Sequence, residues 1–353
     1  MIGNVNRVTA VIVVLLCFSG CSTISYYHQS ISGHFKLISK SELISSIVND
    51  SSRDEKLIKQ LRLAEELRIF ASKQLKLPEN DSYRNYVQLD QPYVTWNVFA
   101  TPAYSISLHQ WCFLVIGCVP YRGYFDQAEA NNYADQLSAK GFDVYVAGVP
   151  AYSTLGWFDD PLLSSMLDRG EIVIASYIFH ELAHQQFYLK GDGAFNEAFA
   201  TAVEEIGVLK WLRQQDRDLD AQHYNDWLQQ KSIFFEFVKN NRDEFEILYQ
   251  QKYDIEKMQV EKEILISEMR RKFADLSSGN PQILKYSKWM SGPLNNAQLG
   301  AISLYRDLVP AFRKIFNLCE SDFTKFYRYV EEISKLPEAQ RETTLISTKA
   351  CRL

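Results

Sequence analysis

Apolar residues recur at helical spacing between Glu55 and Lys76, where Leu57, Leu61, Ala64, Leu67, Ile69, Phe70 and Leu75 form one stripe of an amphipathic helix that Leu77-Pro78 ends. Between Ser30 and about Asn49 the mixture of apolar and polar positions has no strong period. Beyond Ser82 the pattern changes character. Tyr93–Phe99 alternates as a strand, Trp111–Ile116 is a second strand candidate, and Asp143–Val149 is a third, reached after a helix over Ala128–Lys140 that Gly141 caps. A small sheet therefore precedes residue 160. The remainder reads as helix after helix: Ile172–Leu189, Ala194–Gln214, Trp227–Asn240, Phe245–Ala274, Ala297–Asn317 and Glu320–Leu336. The stretch 245–274 interleaves Glu and Lys at helical spacing and reads as a solvated arm without chemistry. The fold class is α+β and predominantly helical. Its expected organisation is a leader over residues 1–20, an N-terminal helical segment over 21–90, a core over 91–215, and a helical region over 216–353 that completes the fold.

Composition removes several function classes. A chain of 353 residues with 46% hydrophobic content can bury a core, so global disorder is excluded. With 38 Lys+Arg against 43 Asp+Glu, the formal charge of −5 gives no sign of a nucleic-acid-binding surface.

The N-terminus sets the compartment. Arg7 precedes an apolar run from Val8 to about Phe18, roughly half of the ~20 residues that a membrane-spanning helix needs, which is the length of a signal-peptide core. Ser19-Gly20-Cys21 then resembles a bacterial lipobox, with Phe18 in place of its usual Leu, so Cys21 is the expected lipidation site. Ser22 rather than Asp follows, and by the bacterial sorting pattern this favours the outer membrane, facing the periplasm. In that oxidising compartment Cys112 and Cys118, which flank a short β-branched segment, are expected to pair with each other, and Cys319 with Cys351. Their spacing matches no CxxC metal pattern.

The chemistry concentrates in Phe179-His180-Glu181-Leu182-Ala183-His184, an H-E-x-x-H inside an apolar helix. Imidazoles at i and i+4 share a helix face about 6 Å apart along the axis, so both can hold one Zn²⁺, with Glu181 beside them as general base. Gly191-Asp192-Gly193 breaks the helix, and a second helix opening at Asn196-Glu197 should fold back antiparallel. At ~1.5 Å rise per residue His184 lies about 10 Å from the turn and Glu197 about 6 Å, so Glu197 is the third candidate ligand. Glu204 matches His180 in height at about 16 Å and is the candidate to fix that histidine's tautomer.

HELAHQ followed by NEAFATAVEE resembles the gluzincin metallopeptidases, in particular the alanyl-aminopeptidase type, although 12 residues between His184 and Glu197 are fewer than in that type. Over residues 92–100, 111–125, 143–163, 180–208 and 294–312 the chain is also similar to a bacterial family of aminopeptidase lipoproteins. The resemblance implies a zincin-like zinc peptidase, with His180, His184 and Glu197 as ligands and a Tyr or His donor for the oxyanion. Tyr305 and Tyr152 are the candidates for that donor. No GxMEN-type segment that would read a peptide's amine occurs. For substrate binding the candidates are Asp159 and Asp160, which could catch an α-amine or else cap a helix beginning at Pro161, and Arg122, which could meet a carboxylate or form a structural ion pair; Val149–Phe158 could serve as the edge strand that pairs with substrate. The expected function is peptide hydrolysis by a lipid-anchored zinc aminopeptidase. An envelope endopeptidase or a non-catalytic structural lipoprotein are the alternatives.

Overall fold

The computed structural model describes residues 25–351 apart from 114–116, 152, 155–157 and 304–307. Cys21, the expected leader over residues 1–20, Tyr152 and Tyr305 thus lie outside the described residues. The chain is α+β and mostly helical, as its pattern predicts. Among the described residues no helix is long and apolar enough to cross a membrane.

Strand β3 (Thr95–Pro102) is the centre of a three-stranded antiparallel sheet, flanked by β6 (Arg122–Tyr124) and β7 (Phe142–Val149). Thr95 pairs with Val149 and Pro102 with Phe142, while Asn97 pairs with Gly123 on the other edge. Alternation along β3 gives its faces different jobs. Trp96, Val98 and Ala100 pack with Ala130, Ala134 and Leu137 of helix α2 (Gln127–Ser138). On the opposite face Phe99 packs on Ala297 and Ala301 of helix α7 (Asn296–Ser303). Thr95 and Asn97 lie beyond α7's cover and face a cavity.

The main core is built on an antiparallel helical hairpin, α3 (Glu171–Gln186) and α4 (Gly193–Gln214), over which α1 (Glu55–Leu75), α8 (Val309–Leu318) and α9 (Phe323–Ser334) pack. The axes of α1, α3 and α4 approach closely at Gly207. A Cβ there would stand 2.7 Å from Leu75 Cδ1 and 2.9 Å from Phe179 Cδ2, so a larger residue would force those side chains to shift. Two disulfides close the structure, Cys112–Cys118 across the hairpin of β4 (Trp111–Phe113) and β5 (Gly117–Val119), and Cys319–Cys351, which ties the C-terminal end to the end of α8.

Residues 25–38 are helical, within the segment 21–90 that the sequence reads as helical. Three expectations are corrected. The expected helix 245–274 is divided: α5 runs Asp218–Tyr249 and α6 runs Ile255–Gly279, restarted by the Asp254 side chain accepting from the Lys257 amide at 2.8 Å. Nor is it a solvated arm. α5 and α6 bury Phe234, Val238, Phe245, Met269 and Phe273 between them, and Lys262 reaches Asp143 at 2.7 Å and the Ala103 carbonyl at 2.9 Å. Finally, no helix begins at Pro161. Leu162–Leu163 instead form β8, parallel to β2 (Asn85–Val87), before a one-turn helix over Ser164–Leu167.

A candidate metal centre

The turn between α3 and α4 sets the register of the hairpin. Gly191 takes a left-handed φ of 84°, and the Asp192 carboxylate caps α4 by accepting from the Phe195 amide at 3.1 Å. Buried Asn196 then clamps the end of α3's extension from both sides, accepting from the Leu189 amide at 2.7 Å and donating to the Leu189 carbonyl at 2.8 Å. These bonds fix where the next residue, Glu197, meets α3.

There it meets both histidines. His180 Nε2 and His184 Nε2 are 3.2 Å apart, and Glu197 Oε2 lies 3.4 Å from the first and 3.7 Å from the second. Among the described residues this trio is the group of metal-ligating side chains close enough to share one ion. Its triangle has the size of a tetrahedral face. Donors about 2.0–2.1 Å from a Zn²⁺-sized cation stand about 3.3–3.4 Å apart at the tetrahedral angle. Two imidazole nitrogens and one carboxylate oxygen also suit such a borderline cation by their chemistry.

Glu204, two turns beyond Glu197, lies 3.2 Å from His180 Nδ1. With Nδ1–H donating to that carboxylate, Nε2 turns its lone pair toward the trio. His184 Nδ1 is buried and meets no hydrogen-bond partner among the described residues, so this imidazole is oriented from its Nε2 side alone. Neighbouring Glu205 does not join the cluster. Its buried carboxylate lies between Arg313, at 3.2 Å, and Lys231, at 3.8 Å, pinning α4 to α8 and α5.

The electrostatics follow from burial and mutual proximity. Burial alone depresses His180, but its bonds to Glu197 and Glu204 outweigh this and raise its pKa well above the usual imidazole value. Burial pushes Glu197 up, yet the charge of His184 and the bonds from both histidines hold it far below the ordinary carboxylate range. Glu181 is different. Burial raises its proton affinity, Glu197 and Asp160 add to this, and the histidine charges oppose without reversing it.

Two cavities meet at His180 and Glu181. The first, of about 350 Å³, is bounded by His184 and Glu197 and by Thr95, Asn97, Phe113, Tyr121 and Tyr188. The second, about 310 Å³, opens past Tyr177, Thr201, Glu204 and Phe235. Val149 and Ala151 line both, so the segment leaving β7 borders the two cavities. That segment is strand only as far as Val149; its described residues beyond form no ladder, so the expected edge strand over Val149–Phe158 is not found.

The proposed substrate-binding charges fall elsewhere. Asp160 is buried and lines neither cavity, its carboxylate accepting from the Thr154 amide at 3.0 Å, Ser153 Oγ at 3.2 Å and Gln185 Nε2 at 3.1 Å. It shapes the wall that Ser153 and Thr154 present and is not exposed to catch an amine. Asp159 is exposed and lines neither cavity. Arg122 lies on the α2 face of the sheet, its guanidinium 4.1 Å from the Tyr26 ring centre and 4.5 Å from that of Tyr133. Strand alternation turns it away from Asn97's side, which is why it misses the cavity.

The sequence gives no sign of Tyr188 at the site, nor of Tyr121 as a neighbour of the trio. Both line the first cavity, and burial raises both phenols, with Glu197 adding to each, so they remain neutral donors near the trio. A family model described as "Putative aminopeptidase" matches residues 25–345. The chain belongs to this family. No curated protein and no solved structure shows a significant match. The family match covers the whole α3–α4 hairpin and both cavities, and the aminopeptidase description agrees with the expected class of reaction at the level of peptide hydrolysis.

Proposed function

We propose that the protein is a zinc-dependent aminopeptidase acting at the bacterial cell envelope, with His180, His184 and Glu197 as the metal's ligands. The observation that carries the reading is the convergence of three donor atoms at 3.2–3.7 Å beside a buried, proton-avid Glu181, within a chain of the aminopeptidase family. When bound, Zn²⁺ supplies Lewis acidity to the scissile carbonyl and to water.

The protein's own groups do the rest. Glu181 takes the proton of the attacking water on a carboxylate oxygen and returns it to the leaving amine, a role that suits a carboxylate with raised proton affinity. Glu204 holds His180 in the tautomer that offers Nε2. Tyr121 or Tyr188 donates a phenolic hydrogen bond to the developing oxyanion. An anchor at Cys21 is consistent with the helical residues 25–38 that follow within four positions and expose Ile31 and Phe35. The test is hydrolysis of a set of unblocked and N-acetylated peptides by the full chain, with chelator and zinc add-back. Loss of activity with chelator, restoration by zinc and a requirement for a free amine support the reading. Cleavage of acetylated peptides at equal rate would make the enzyme an endopeptidase, and chelator-resistant cleavage would remove the metal from the reaction.

A further inference from the structure

The wall of the first cavity carries polar side chains besides the trio and Glu181, Asn97 among them. Asn97 is the third residue of β3, only 7% exposed, and lies on the face that α7 leaves open to the cavity. Its side chain forms part of the cavity wall. Asparagine is disfavoured in a strand, where valine or threonine would serve the sheet better. The partner opposite it is equally telling. Gly123 pairs with Asn97 across the sheet, and a Cβ on Gly123 would press to 3.1 Å from Asn97 Oδ1, so glycine keeps the approach to the carboxamide open. Thr95, one step along the same face, brings a second buried polar side chain to the cavity wall.

The remaining lining is aromatic, aliphatic or neutral: Tyr26, Phe113, Val119, Tyr121, Phe125 and Tyr188 among others. Every ionisable carboxylate or imidazole of this cavity among the described residues belongs to His180, Glu181, His184 and Glu197. Among the described residues no lysine or arginine faces it, and its two acids, Glu181 and Glu197, already serve as proposed base and ligand, so a charged substrate side chain would find no uncommitted counter-ion there.

We propose that Asn97 is a substrate-positioning residue whose buried carboxamide hydrogen-bonds the backbone amide of a bound peptide, and that this cavity accepts a residue with an uncharged, preferably aromatic, side chain. The inference rests on the peptidase reading and names the substrate class of that site. A carboxamide both donates and accepts, which matches a peptide group's own carbonyl and N–H.

The test measures binding, so that it survives a failure of turnover. Full-length Glu181→Gln protein, zinc-loaded, is titrated with three dansyl-labelled peptides that differ only in one central residue, Phe, Asp or Lys. The Phe peptide should bind at least 10-fold tighter than the other two. Asn97→Ala in this background should weaken the Phe peptide about 3- to 10-fold, the worth of one hydrogen bond, with zinc content and circular dichroism unchanged. Asn97→Ser, which keeps a hydroxyl, should recover part of the loss. Asn97→Asp should improve the Lys peptide relative to the Phe peptide, a switch that a merely structural asparagine would not give. Equal binding of all three peptides by the parent, or undiminished Phe-peptide binding by both Asn97→Ala and Asn97→Ser, would overturn the proposal. Selective peptide binding by the parent beside wild-type protein that cleaves nothing would uphold this inference and refute the peptidase reading.

Discussion

Adjacent carboxylates on α4 are given opposite work by the structure, and substitution should separate them. Glu205 is 3% exposed between Arg313 Nη1, at 3.2 Å, and Lys231 Nζ, at 3.8 Å. Removing one partner of a fully buried ion pair costs about 3–5 kcal/mol, because the charge left behind cannot be hydrated. Arg313 is about one-third exposed, and Lys231 stands at the limit of ion-pair distance, so the loss for Glu205→Gln is about 2–3 kcal/mol. At roughly 2 °C per kcal/mol for a large chain, the melting temperature should fall by about 4–6 °C. Glu204 touches His180 instead. Glu204→Ala should shift melting less than half as far, while weakening metal retention about 10- to 100-fold, as loss of a hydrogen-bond partner behind a ligand commonly does. Thermal denaturation by circular dichroism and zinc retention against a graded chelator read the two effects separately. The reasoning fails if Glu205→Gln melts within about 1 °C of the parent, or if it sheds zinc as readily as Glu204→Ala.

Asn196→Ala removes both clamps on Leu189 and should destabilise by about 2–3 kcal/mol, each lost bond being worth about 1 and the Leu189 groups being left partly unmet; urea titration followed by tryptophan fluorescence measures this, and a loss under 1 kcal/mol would contradict the account of the turn. Gly207→Ala gains helix propensity but drives a methyl to 2.7 Å from Leu75, so a net destabilisation of about 1–2 kcal/mol is expected, and a stabilised variant would show that the interface yields more easily than the contact distance implies. Cys21→Ala should abolish metabolic fatty-acid labelling and release the protein from membranes or leave its leader uncleaved. Unchanged labelling would remove the lipid anchor.

The hairpin that brings His180, His184, Glu197 and Glu204 together was legible because its information is local. H-E-x-x-H spacing, a glycine turn and axial rise per residue together place Glu197 and Glu204 against the correct histidines, and rigid helices preserve such arithmetic over about 16 Å. The cysteine pairing was legible for a similar reason, since a six-residue separation leaves little conformational choice. What failed depends on tertiary partners. Lys262 looks like one more charge on a solvated helix until Asp143 arrives from a strand 119 positions away. Asp160 before a proline reads as a cap, but the two residues that follow are claimed by β2 as a parallel strand, and the carboxylate turns to Ser153, Thr154 and Gln185. Asn97 gives no signal at all within T-W-N-V-F, because its place on the cavity wall is a property of the face left uncovered by α7.

The central claim is that His180, His184 and Glu197 bind the metal while Glu181 does not, and zinc content of purified full-length variants tests it most directly. Wild type and Glu181→Gln should each hold about one zinc per chain, the latter with turnover reduced by about 10²–10⁴-fold, while His184→Ala and Glu197→Ala, folded by circular dichroism, should hold little or none. Glu197→Ala protein that retains its zinc while Glu204→Ala loses it would mean that Glu204 is the third ligand, and a wild-type chain without zinc after growth in zinc-replete medium would contradict the metal centre itself.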